Sequence, residues 1–566
     1  MLLILISWIY ITITTVILGE ILNRILRLHV KNITITIVLG LFAITLLASA
    51  WAIFGRINWE FHITLLIVNC ISFVFLRKNI AGLYRHFLDD LKSMGGPLRL
   101  FVGVIALLIL SQCAAAPNII DNESYYIQTI KWLNEYGFVK GVANLHFYLA
   151  QTSGWHITQS ALNFSFVYGS FNDLSGYCLL LGNVFAITRL SQYFINGKTH
   201  YLIVGLLPVA NVLLFQFVTA PSPDLPIYVF SFIVFFYFLE RFRDINAQTF
   251  TLVTLLVIFC LYIKTTAAGL LIIPVFLLIK NFRIVKPVLM RCALLGSIVL
   301  GLFLAKNTFV SGHPLFPITG YKFADTDFSL PNHIAKQYYT TTKLYAYFLS
   351  QEQFDSMSVW QKFLRWSTLP KLHGFFNKTI TGLTIITPLI LYRYFNRREL
   401  WLLYGVMCIQ IALLAVSSPQ YRFFLNFVLL FSFCIMAVVL TNHRAILVIL
   451  WSSVGACIFA LFVPLNLSSF TNNKYVTHNS TFSINNIIKP YKNSKYTTDF
   501  KKITDHNLHY YSPVNIDFFW GSGDGPLPCI NERQINYFSK KYKVLPQQRS
   551  ENIADGFYAE DITRYE

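Results

Sequence analysis

Residues 99–116 read RLFVGVIALLILSQCAAA, and residues 117–126 read PNIIDNESYY. The first stretch is apolar and long enough to cross a bilayer, which takes about 20 such residues. The second places Asp121 and Glu123 at the mouth of that span, with Tyr125 and Tyr126 directly after them. An ionised carboxylate at a membrane boundary is costly unless water, a metal or a partner meets it, so acids in such places mark sites more often than cores.

The rest of the chain repeats the pattern. Of 566 residues, 55% are hydrophobic and only 13% charged, and the mean hydropathy is +0.54. Soluble domains carry about 25% charged residues, so the composition predicts an all-α polytopic membrane protein with about 12–14 transmembrane helices. Apolar runs fall at 1–19, 34–54, 60–76, 99–116, 173–194, 199–219, 225–239, 248–263, 266–279, 290–305, 378–392, 400–416, 423–440 and 445–464. Only Lys264 and Thr265 separate 248–263 from 266–279, too little for an ordinary helical hairpin, so one broken helix with a re-entrant piece is an alternative. The first run lacks a basic leader and a small-residue cleavage pattern before Glu20, which favours a retained span over a signal peptide.

A net charge of +19 raises the question of nucleic acid. The Lys and Arg residues form short clusters between apolar runs and no single basic stripe, which excludes that partner class. The clusters instead orient the chain, because short cytoplasmic loops concentrate Lys and Arg. Arg24, Arg27 and Lys31, then Arg77, Lys78, Arg85 and Lys92, Arg189 and Lys198, Arg241 and Arg243, Lys280, Arg283, Lys286 and Arg291, and finally Arg393, Arg397, Arg398 and Arg444 fall on alternate loops. The other loops carry Asp121, Ser222-Pro223-Asp224, the segment 306–377, Ser418 to Arg422, and the tail, all expected outside. Eight of the nine cysteines sit in or beside apolar runs and show no metal or disulfide spacing.

The expected units are a membrane domain over 1–465, with outer loops 117–172 and 306–377, and an extracytoplasmic region over 466–566. In the first outer loop Tyr126, Ile127, Ile130 and Leu133 alternate at helical spacing with Gln128, Lys131 and Asn134, which predicts an amphipathic helix in the interface. A second such piece is expected over 155–166, and Phe354, Met357, Trp360, Phe363 and Leu364 make a third stripe. The tail contains the turn-rich Trp520-Gly521-Ser522-Gly523-Asp524-Gly525-Pro526, without the strand-then-helix context of a phosphate loop.

Asp121 with Glu123, Asp224, Lys264 and Arg422 all map to the same boundary. A carboxylate can take an acceptor hydroxyl's proton, and cations can stabilise a departing phosphate. Each residue also has a structural reading. Asp121 suits a helix N-cap, Asp224 a helix start, Lys264 snorkelling to the surface, and Arg422 an interfacial anchor.

These residues resemble those of the class C glycosyltransferases, the GT-C superfamily. Asp121-Asn122-Glu123 is similar to the acidic motif of that family's first outer loop, and Asp224 to its second acid. Ile263-Lys264-Thr265-Thr266-Ala267 is similar to the Thr-Lys-Gly turn of the mannosyl- and aminoarabinose-transferring branch, although neither flanking residue matches. Four further segments resemble a group of bacterial multi-span proteins related to that superfamily: Ile130-Lys131-Trp132 through Asn144-Leu145-His146, Ser222 to Pro226, Lys306-Asn307 with Gly312 to Pro317, and Gly525 to Cys529. That group brings no established substrate.

The resemblance implies an enzyme of the bacterial cytoplasmic membrane with its active site facing outward. It would move a sugar from a polyprenyl-phosphate-linked donor to a saccharide, lipid or protein acceptor, by single displacement with inversion. Asp121, Glu123 and Asp224 are the candidate catalytic residues, and Lys264, Arg422, Tyr125, Tyr126, Lys306 and His313 the candidate substrate ligands. The acids are separated by Asn122, which leaves open which of them is the base; they could also hold a divalent cation, though the spacing does not demand one. A transporter or flippase of lipid-linked saccharides, a surface-polysaccharide polymerase or ligase, and a non-enzymatic scaffold are the competing readings.

Overall fold

The computed structural model describes residues 1–170, 173–323 and 326–565. Positions 172 and 566, which end two of the expected segments, and 324–325 within 306–377 lie outside the described residues.

The described chain is mostly helical, and ten of its helices are long and apolar enough to cross a membrane. They are Leu2–Ile25, Ile33–Trp51, Trp59–Ser93, Gly96–Cys113, Leu174–Asn196, Thr199–Phe217, Phe282–Ser311, Lys371–Phe395, Arg398–Val416 and His443–Phe462. Ala247–Ile263, Thr265–Lys280 and Leu425–Val439 are apolar but shorter. Asp224–Arg241 is as apolar between its ends but bears Asp224, Glu240 and Arg241. This is an all-α chain whose helices fit a multi-pass membrane protein.

Helix packing follows the membrane rule that small residues let backbones approach. Helices Leu2–Ile25 and Ile33–Trp51 cross at Gly19 and Gly40, where a Cβ would come within 1.9 Å of the Thr36 and Thr15 carbonyl oxygens respectively. Asp224–Arg241 lies at the centre, with Phe230, Phe232 and Phe235 fully buried. Phe282–Ser311 stands at the rim and exposes Met290, Leu294 and Leu300, as a lipid-facing helix must.

Several expectations change. Trp59–Ser93 is one continuous helix, so Arg77, Lys78, Arg85 and Lys92 ride on it and do not form a loop cluster. The run 199–219 is broken into short α and 3-10 turns around Pro208, which cannot donate to the helical ladder. The tight hairpin at Lys264 does form. Lys264 is extended, with φ −154° and ψ 115°, and Lys280 at the far end of the return helix donates to the Phe242 carbonyl at 2.8 Å.

The first long loop is not interfacial in the expected way. Asn122–Tyr126 makes one π-helical turn that runs into helix Ile127–Glu135. Gln128 and Asn134 are buried, because the chain covers the helix's polar face: Gln128 donates to the Gly523 and Gly525 carbonyls at 3.0 and 3.1 Å, and Asn134 to Ile57 and Ser160 at 2.7 and 3.1 Å. Helix Gly154–Ala161 is buried on every side and sits in the core. The third stripe keeps its amphipathic surface, with Val359, Trp360 and Leu364 of Val359–Ser367 exposed.

After Phe462 the chain folds over the same end of the bundle as loop 117–170. It contains two antiparallel strand pairs, Phe500–Asp505 with Leu508–Pro513 and Val544–Gln548 with Phe557–Asp561, in registers Phe500↔Pro513 and Val544↔Asp561. Helix Glu532–Tyr542 connects them. These two pairs are the only named strands among the described residues.

Candidate functional site

Four helix ends meet at one wall of a cavity of about 1230 Å³. Asp121 precedes the π-helical turn, and Asp224 opens its helix directly after Pro223. Lys264 is the extended break of the hairpin, and Arg422 sits in the 3-10 turn Tyr421–Phe423 ahead of helix Leu425–Val439. The Arg422 guanidinium bridges the two acids, with Nη1 at 2.9 Å from Asp121 Oδ2 and 3.5 Å from Asp224 Oδ2. Lys264 pairs with the other oxygen of Asp224 and lies 4.4 Å from the centre of the Phe423 ring. Arg422 is held from behind: Gln420 accepts from its Nη2 at 3.2 Å, and the Tyr228 hydroxyl donates to its carbonyl at 2.8 Å.

Asp224 does start a helix, as its structural reading has it, but the readings of Asp121 as a cap and Lys264 as a snorkelling residue do not hold. Asp121 makes no side-chain capping bond, and Lys264 turns inward to a carboxylate where snorkelling would take it outward. The Asp224 side chain is only 2% exposed, whereas Asp121, Lys264 and Arg422 are 26%, 21% and 22% exposed. Asp224 therefore anchors the cations from below, and Asp121 is the acid that faces the cavity. Asp121 Oδ2 is taken by Arg422, and Oδ1 has no hydrogen-bond partner among the described residues.

Tyr125, Tyr126 and Lys306 also line the cavity. Lys306 enters from helix Leu289–Ser311 and donates to the Thr152 carbonyl at 2.6 Å and to Asn307 Oδ1 at 2.8 Å. The remaining wall mixes Tyr338, Tyr345, His373 and Gln151 with apolar Leu213, Phe303 and Phe470. The tail closes it through Asn472, Tyr475 and Trp520.

Two candidates lie elsewhere. Glu123 is fully buried on the opposite side of its turn, where Ser494 Oγ and the Lys495 N–H donate to it. Burial pushes its carboxyl above the usual glutamate range, against those hydrogen bonds, which pull it down. The backbone around it is stapled as well: Ser522 and Gly523 N–H groups donate to the Glu123 carbonyl, both at 2.9 Å. The glycine-rich turn 520–526 is therefore a clasp between tail and loop, reinforced by Lys131 Nζ at 3.2 Å from Asp524 Oδ1. His313 is buried with Nε2 at 2.7 Å from the Leu330 carbonyl, which orders the loop after Ser311 and keeps the ring out of the cavity wall.

Asp121 and Glu123 thus diverge and cannot share a cation. Asp121 and Asp224 converge on Arg422, whose guanidinium stands where a metal ion between them would sit. Among the described residues no three His, Cys, Asp or Glu side chains gather as a metal site.

Thr152, Tyr338, Tyr345 and His373 carried no local signal, because tyrosines and threonines are frequent throughout the chain. Trp520 sat inside the turn already singled out, next to its glycines.

Residues 1–429 match a family described as a domain of unknown function (DUF8201). The chain belongs to that family. No curated protein matches it. The DUF8201 match includes Asp121, Asp224, Lys264, Lys306 and Arg422, while the tail that roofs the cavity lies beyond it.

Proposed function

We propose that this DUF8201 protein is a GT-C-like glycosyltransferase of the bacterial cytoplasmic membrane, moving a sugar from a polyprenyl-phosphate-linked donor to an acceptor on the outer face. The observation that carries this reading is the Asp121–Arg422–Asp224–Lys264 cluster beside a large cavity whose lining mixes polar and apolar side chains. A lipid-linked sugar has the same mixed chemistry.

In the proposed reaction the acceptor oxygen bonds to the sugar's anomeric carbon as the carbon–phosphate oxygen bond breaks, with inversion. The proton leaves the acceptor for Asp121, and the lipid phosphate departs with the bonding electron pair. Asp121 suits the base because it has an unbonded oxygen on the cavity side. Lys264, Arg422 and Lys306 supply positive charge where phosphate charge develops. Glu123 has no part in the chemistry, since it faces the tail.

Arg24, Arg241 and Lys280 close their helices at the end of the bundle away from the cluster, which supports an outward-facing site through the positive-inside rule. The same placement argues against a carrier, whose charged site belongs near the midplane. The test is extraction of lipids from cells lacking the protein and from cells in which it is restored. A single polyprenyl-linked sugar should accumulate in the first and disappear in the second. An unchanged lipid-linked pool would remove the transferase reading.

A further inference from the structure

Before it reaches its strands, the tail crosses the ends of the bundle. The Phe482 N–H donates to the Leu461 carbonyl at 2.9 Å, the Leu2 and Leu3 N–H groups donate to the Ile487 and Ile488 carbonyls at 2.8 and 3.2 Å, and the Tyr491 N–H donates to the Ala114 carbonyl at 2.9 Å. Leu461, Leu2 and Ala114 stand at the ends of His443–Phe462, Leu2–Ile25 and Gly96–Cys113, three helices long enough to cross a membrane. Residues 482–491 therefore lie at the level where those helices leave the bilayer.

Within this segment the usual placement of side chains is inverted. Asn486 turns inward and donates to the Ala114 carbonyl at 2.8 Å, whereas Ile484, Ile487 and Ile488 face out, with Ile484 76% and Ile488 63% exposed. Phe166 and Val167 of the neighbouring loop are exposed as well. That loop is tied to the tail by Asn493, whose amide donates to the Gly169 carbonyl, and by Lys489, whose Nζ lies 5.8 Å from the centre of the Tyr168 ring. Helix Leu2–Ile25 continues the apolar surface with Leu2, Leu5, Ile6, Ile9 and Ile13, an exposed stripe at helical spacing that a spanning helix turns to lipid. A contiguous apolar patch of this kind marks an interaction surface, and its continuity with the stripe says which.

Charge points the same way. Lys489 and Lys492 are exposed beside the isoleucines, and from 466 to 498 the chain has no Asp or Glu.

We infer that Ile484, Ile487 and Ile488, together with Phe166 and Val167, insert into the membrane leaflet on the cavity's side, and that Lys489 and Lys492 lie on its anionic headgroups. Apolar side chains flanked by lysines bind a bilayer in this way, entering the boundary between headgroups and acyl chains. The inference goes beyond the transferase reading and does not depend on it. It gives the clasp a second support, because the segment runs on into Asn493, whose carbonyl accepts from Asn122 at 2.7 Å, and into Ser494, which donates to Glu123. The bilayer thus helps to hold the tail over the cavity.

The test uses the full-length protein in nanodiscs of phosphatidylglycerol and phosphatidylcholine in equal amounts. The photoreactive p-benzoylphenylalanine replaces one residue at a time: Ile488 or Ile484 in the segment, Ile9 as a lipid-facing reference, and Val514 as an exposed position in the strand-bearing part of the tail. After illumination, mass spectrometry of the intact protein should find lipid adducts at Ile488 and Ile484 in yields similar to Ile9 and about 10-fold above Val514, as expected for side chains below the headgroups. Phosphatidylglycerol adducts should exceed phosphatidylcholine adducts about 5-fold, and Lys489→Gln with Lys492→Gln should bring the two level, since each lysine is drawn to an anionic surface.

Adducts at Ile488 and Ile484 no more frequent than at Val514 overturn the inference. Cross-links to a second copy of the chain at those two positions overturn it in favour of a protein interface. Equal yields of the two lipids with both lysines in place overturn the role given to Lys489 and Lys492.

Discussion

Asp121 and Glu123 are two residues apart, and they belong to different machines. Asp121 lies on the cavity side of the π-helical turn, partly exposed and bridged by Arg422 to Asp224. Glu123 lies on the tail side, fully buried and bonded to Ser494 and Lys495 about 370 residues away. The first arrangement keeps charged groups within reach of a ligand. The second uses a charged group as a fastening, closed off from any ligand. Proximity in sequence therefore misleads on a helical turn, where residues two apart point to nearly opposite sides.

The contrast predicts a graded set of responses. The largest loss of stability should come from Arg422→Met, which leaves Asp121 without a partner beside an Asp224 held by Lys264 alone. Removing one partner of a buried pair costs about 3–5 kcal/mol, and partial exposure of Arg422 places the expectation at the lower end. Adding Asp121→Asn should recover part of that loss in thermal unfolding. No recovery would mean the guanidinium matters through packing alone.

Next, Glu123→Ala leaves the Ser494 hydroxyl and the Lys495 N–H without their acceptor. The cost should be about 1–3 kcal/mol, and hydrogen exchange should show it concentrated in 490–530 with the membrane helices unchanged. Uniformly faster exchange would contradict the fastening role.

A smaller effect concerns pH. Burial raises the folded-state pKa of Glu123, so its contribution is fully present below the ordinary glutamate value of about 4.3 and is lost as pH rises through the raised one. Tail protection should accordingly weaken on going from acidic to neutral pH, and Glu123→Gln should flatten that dependence. The smallest effect belongs to Lys131→Met, because the Lys131–Asp524 pair is 26% and 37% exposed on its two sides. It should cost no more than about 1 kcal/mol.

What the sequence made legible, it did through scarcity. Charged residues between apolar runs are few and expensive, so Asp121, Asp224, Lys264 and Arg422 stand out, and the fold gathers those four. The apolar runs likewise mark the helices, the break at Lys264 included, apart from the one at Pro208, where local backbone geometry decides. The misreadings share one cause. Gln128 and Asn134 look like the wet face of an interfacial helix until partners arrive from Gly523, Gly525 and Ile57. Glu123 and His313 look like site residues until Ser494 and Leu330 occupy them. Long-range hydrogen bonds leave no periodic trace in a single chain, so the tail's role as clasp and cavity roof could not be read from its glycines.

The most direct measurement compares Asp121→Asn with Glu123→Gln in cells, at matched levels of folded protein, by extracting and quantifying polyprenyl-linked sugars. Asp121→Asn should accumulate the same lipid-linked sugar as cells lacking the protein, reflecting the roughly 10²–10⁴-fold loss expected for a missing general base, while Glu123→Gln should stay near the wild-type pool. Equal accumulation in both variants, or none in Asp121→Asn, would contradict the division between a working acid and a fastening one.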